Sequence, residues 1–193
     1  GDQKPLRLSR IPVDRQEVGL LYQKLTQKAC GLRITTVNFV PHDARLEIMY
    51  VTVENISGRD MPVRATSFVP LFGRSEKNLR DHRHVSSLLN RVALDRYGVY
   101  LKPTMVFYEK GHKVNNTIYF CVGYQDHGVP CQGQFPTLDA FYGQGDIFAP
   151  EAVTKNLKPF SSHEPFFDGK EACGALRFRR RLLKPGAKAR YVL

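Results

Sequence analysis

What most constrains this chain is a succession of short β-rich runs, closed by glycine or proline, from residue 19 almost to the end. LRITTVNFVP (32–41) is rich in β-branched residues and follows GLLYQKLTQKA (19–29) across a Cys–Gly step. ARLEIMYVTVENIS (44–57) alternates Leu46, Ile48 and Tyr50 before Val51 and Val53 shift the phase. Side chains of a strand point alternately to its two faces, and branched residues suit a half-buried pleated surface. SGRD (57–60) puts glycine where a hairpin uses positive φ, so MPVRATSFVPLF (61–72) reads as the returning strand. Strands are likewise expected over 84–94, 99–109, 114–126 and 171–183, with turns at 110–113 and 184–188.

One stretch differs. In FPTLDAFYGQGDIFAPEAV (135–153), Thr137 stands before LDAFYG as the N-cap of a helix of one or two turns, closed by Gly143. A second short helix is expected near 150–153. The fold class that follows is all-β: an antiparallel sandwich with one or two short helices, occupying 1–193 as a single domain without repeats or linker. The final RYVL reads as an apolar strand hardly begun, and bare apolar edges invite aggregation. The chain is therefore expected to be the front part of a longer polypeptide.

No stretch approaches the roughly 18 apolar residues of a membrane helix, and GDQKPLRLSR has no signal core. Cys30, Cys121, Cys131 and Cys173 form no CxxC pair and read as buried free thiols in a reducing, cytoplasmic setting. Lys and Arg number 29 against 18 Asp and Glu, a net charge of +11. Such an excess suits nucleic acid, an acidic partner domain or phosphate-bearing substrates. In RFRRR (177–181), period two puts Arg177, Arg179 and Arg181 on one strand face, which reads as solvated. Exposed aromatics are not clearly interleaved with it, so nucleic acid is the last-ranked partner.

RDHRHVSSLLNR (80–91) invites a metal or acid–base reading, since HxH on a strand would set His82 and His84 on one face. Further ligands would come from Asp81, His42, His112, His127 or His163 at no diagnostic spacing, and Arg80, Arg83 and Arg91 repel a cation, so no metal is expected. His163 and Glu164 supply the residue types of a mutarotase, yet neighbours on an extended segment face opposite ways. GxSxG, HExxH, P-loop and GxGxxG are all missing from the sequence. For carbohydrate, Phe141, Tyr142, Phe166 and Phe167 read as core rings first and stacking rings second, and there is no tryptophan.

The order of segments carries a resemblance. ITTVNFVPHDARLEIMYVTVENISGRDMPVRATSFV, then FPTLDAFYGQGDIFAPEAV, then EACGALRFRRRLLKPGAKARYVL resemble the N-terminal domain of cellobiose-phosphorylase-type enzymes of glycoside family 94, over about residues 18–193. RDHRHVSSLLNR and GVYLKPTMVFYEKGHKVNN are most similar to the branch of 1,2-β-oligoglucan phosphorylases. The resemblance implies an antiparallel β-supersandwich, galactose-mutarotase-like, packed on an (α/α)6 barrel of the same polypeptide. That barrel would hold the general acid and the inorganic phosphate that is the parent's substrate, so no catalytic residue is carried over and no cofactor is implied. It further implies a β-glucan oligosaccharide as ligand, a homodimer, and a loop reaching the substrate cleft. The candidate sugar contacts are Arg80, His82 and His84 of the first segment and Asp139, Phe141 and Tyr142 of the second. The alternative is a stand-alone mutarotase-like enzyme.

Overall fold

The computed structural model describes residues 5–73, 83–106, 111, 113–161 and 165–193. Strands run in the order β1 (Val13–Gly19), β2 (Tyr22–Ala29), β3 (Leu32–Phe39), β4 (Ile48–Asn55) and β5 (Met61–Val63). Helix α1 (Arg83–Ser87) precedes β6 (Asn90–Leu94), β7 (Gly98–Pro103), β8 (Met105–Val106), β9 (Lys113–Val114) and β10 (Tyr119–Val122). There follow β11 (Tyr124–Gln125), β12 (Val129–Pro130), β13 (Gly133–Thr137), α2 (Leu138–Tyr142) and α3 (Glu151–Thr154). The chain closes with β14 (Ala172–Arg177), β15 (Arg181–Leu183) and β16 (Lys188–Val192). Every strand pairing among the described residues is antiparallel, so the all-β expectation holds.

Two compact units form, one from 1–65, 123–130 and 179–193 and the other from 66–122 and 131–178. The first holds a seven-stranded sheet, β1-β2-β3-β4-β16-β11-β12, and the pair β15-β5. Its alternation is legible residue by residue. Leu32, Ile34, Val53, Ala189 and Tyr191 share the buried face, while Arg33, Glu54, Lys188 and Arg190 take the other. The second unit holds the sheet β10-β7-β6 and the pair β13-β14. Val92, Val99 and Leu101 are buried beneath the former, and a cluster of Phe135, Phe141, Ala152, Cys173 and Ala175 fills the region under α2 and α3.

Four expectations are corrected. First, β5 does not return along β4; it pairs with β15, and Gly58 is not at positive φ. The cause is Asn55, fully buried, whose Oδ1 accepts the Ser57 N–H at 2.9 Å while its Nδ2 donates to the carbonyls of Arg59 and Leu183 at 2.7 and 2.8 Å. This side-chain turn replaces a glycine turn and ties the chain to β15. Second, 84–94 is not one strand, since α1 comes before β6. Val85, Leu88 and Leu89 stand three and four apart, a helical spacing with no alternation.

Third, RFRRR is no continuous strand face: β14 ends at Arg177, which is only 3 % exposed. Fourth, β16 is no bare edge, because it lies between β4 and β11 and pairs with both. Three α-helices occur among the described residues, the two expected near 138–142 and 151–154 and the unexpected α1.

Candidate functional site

The surface beside α2 gathers the most varied chemistry among the sequence-predicted residues. Thr137 takes the extended conformation of an N-cap, but its hydroxyl bonds Asp139 Oδ1 and not a backbone N–H. Asp139 Oδ1 also accepts the Ala140 N–H at 2.9 Å, so the carboxylate organises the first turn. Gly143 ends the helix at φ 56°, its N–H bonded to the Asp139 carbonyl at 2.9 Å.

Asp139 Oδ2 accepts a hydrogen bond from Lys170 Nζ at 2.6 Å. Lys170 Nζ also stands 5.3 Å from the centre of the Phe166 ring, which is 51 % exposed. Partial burial pushes the Asp139 carboxyl up, but the hydrogen bonds from Lys170 and Thr137 and the Lys170 charge outweigh it and hold the group below the usual carboxylate range. The result is a lasting carboxylate, an ammonium and a half-exposed ring, itself packed edge-to-face with Phe160 and Phe167, side by side. A ring covers the apolar face of a sugar while charged groups take its hydroxyls. Acid–base cleavage of a glycoside instead asks for two carboxyls across the scissile bond.

The other predicted residues sort differently. Phe141, 4 % exposed, stacks on Phe68 at 4.9 Å and 9° and is a core ring with its faces taken. Tyr142 is half-buried and tilts against Phe68 and Phe141 at 5.4 and 5.7 Å. Phe167 is buried. Arg80 and His82 lie outside the described residues, as do Asp81, His112, His163 and Glu164. His84 has helical backbone in α1, so an HxH pair on one strand face does not form. His127 is exposed at φ 61°. Among the described residues, no three His, Cys, Asp or Glu side chains assemble as metal ligands.

Sequence reasoning missed Lys170, which reaches Asp139 only through tertiary folding, 31 positions away. It also missed a second aromatic pair: half-buried Tyr100 and exposed Phe120, cross-strand partners on β7 and β10, lie 6.2 Å apart. Alternation in VYLKP against YFCV was the available signal. Behind α3, Arg177 donates to the carbonyls of Leu157 (2.6 Å) and Ala152, with its guanidinium 5.0 Å over the Phe135 ring. It thereby ties β14 to α3 and the turn after it, where the Ala152 carbonyl also accepts the Leu157 N–H at 3.1 Å.

A family model described as the glycosyl hydrolase 94 supersandwich domain matches residues 13–193. No curated protein matches the chain.

Proposed function

The chain belongs to the glycosyl hydrolase 94 supersandwich family, and from that membership we propose that it is the non-catalytic recognition and assembly domain of a phosphorylase acting on β-linked glucans. Its sugar-contacting surface is Asp139, Lys170 and Phe166, supported by their juxtaposition at 2.6 and 5.3 Å around one ammonium. Segments 80–91 and 98–116 favour the 1,2-β-oligoglucan branch. In this reading the chain works against an (α/α)6 barrel of the same polypeptide that supplies the acid and the phosphate site, in a cytoplasmic homodimer.

Calorimetric titration with β-1,2-gluco-oligosaccharides, against cellobiose as comparison, is the test. Saturable binding of the former alone, lost in Phe166→Ala and Lys170→Ala, supports both the surface and the branch. Binding of cellobiose alone moves the linkage to β-1,4. Binding of neither removes autonomous recognition and leaves assembly as the domain's role.

A further inference from the structure

The last cations of the chain are gathered, not scattered. After Glu171 the sequence has no acidic residue, and the first unit carries sixteen Lys and Arg against eight Asp and Glu. Arg179 and Arg180 lie exposed in the bend between β14 and β15, and Lys184, Lys188 and Arg190 are exposed beyond it. The Arg179 N–H bonds Gln125 Oε1 at 2.9 Å, which anchors this bend beside Asp126.

Asp126 is the pivot. Its side chain is 7 % exposed, and its Oδ1 accepts the Arg190 backbone N–H at 3.2 Å. Arg190 Nη1 stands 3.8 Å from Oδ1 and Arg181 Nη1 3.5 Å from Oδ2, with both guanidiniums half in solvent. Oδ2 makes no hydrogen bond. One buried carboxylate thus steers two arginines by charge, and among the described residues neither guanidinium makes a side-chain hydrogen bond. Lys188 shares the Arg190 face of β16, and Glu54, its cross-strand neighbour, is already bonded to Arg33 at 2.8 Å.

We propose that Arg179, Arg180, Arg181, Lys188 and Arg190 form a docking surface for a carboxylate-rich polypeptide surface. Planar guanidinium forks match carboxylates in pairs, and their spacing along a bend and a strand suits an extended acidic partner. A second copy of this chain, at a net charge of +11, matches such a surface poorly. Single-stranded nucleic acid asks for stacking rings among the cations. Phe178 and Tyr191 are buried, and Tyr124, opposite Val192 on β11, is 39 % exposed, so the cations have one open ring beside them and not a series. The surface does not involve the residues of the sugar reading, so either stands without the other.

The test is fluorescence anisotropy of labelled poly-glutamate with the whole chain at low ionic strength. A double variant, Arg179→Gln with Arg180→Gln, changes exposed positions only. A control, Arg45→Gln with Lys113→Gln, removes the same charge elsewhere. The expected result is affinity about fivefold weaker in the first variant and nearly unchanged in the control, with added salt abolishing both. Equal losses in the two variants, or no binding at all, overturn the proposal. Tighter binding of a labelled oligothymidine that Arg179→Gln with Arg180→Gln abolishes overturns it in favour of nucleic acid.

Discussion

At the scale of the residue, burial separates groups that the sequence lists as equals. Cys121, Cys131 and Cys173 are buried as expected, but Cys30 sits exposed in the β2–β3 turn at φ 51°, which corrects the expectation of four buried thiols. Burial pushes the Cys121 thiol up to about 12 and raises Cys173, and for Cys131 it outweighs the hydrogen bonds from Gln134 and Gly133 that act the other way. Because the thiolate is the nucleophile, an aromatic disulfide reagent is expected to label one thiol at once and three only on unfolding. Two or more fast thiols in the folded protein would contradict the packing around β14. The same division split Phe141 from Tyr142. On a five-residue helix, adjacent rings diverge by about 100°, so one enters the core and its neighbour cannot follow. Nothing in DAFYG says which.

At the scale of the element, most strands were legible, though β1, β12 and β13 were not, and strand pairing was not. Branched residues located β3, alternation β4 and an apolar run after a turn β16, and Thr137 with Gly143 bracketed α2 correctly. The SGRD glycine misled, because the buried Asn55 side chain makes the turn and selects β15 as the partner of β5. Arg177 misled for the reverse reason: period two describes where a side chain points, not whether solvent or a helix end awaits it. It is a buried donor to two carbonyls, so Arg177→Met is expected to cost about 1–3 kcal/mol in urea unfolding. Arg177→Lys should recover only part of this, since one ammonium cannot span the Ala152 and Leu157 carbonyls. A methionine variant as stable as the parent would mean that α3 needs no such anchor.

At the scale of the whole molecule, each unit contains a tyrosine whose ionisation opposes its fold. Burial, with the hydrogen bond to Asp95 next, raises the Tyr100 phenol to about 12. Burial, with the Asp126 charge next, raises Tyr191 to about 12 against the opposing pull of Arg181. A raised folded-state value means the neutral phenol is favoured. The stability it carries is full below the unfolded value of 10.0 and is lost as pH climbs toward 12. Urea midpoints are therefore expected to fall between pH 10 and 12. The sequence by itself determined the all-β class, the position of most strands and the two helices after Thr137, because periodicity, branched residues and caps are local. Tertiary structure alone decided that Arg177 is interior, that β16 is central, and that Lys170 meets Asp139 beside Phe166. Each of those depends on which distant segment arrives at a given face, and no local pattern encodes its neighbour across space.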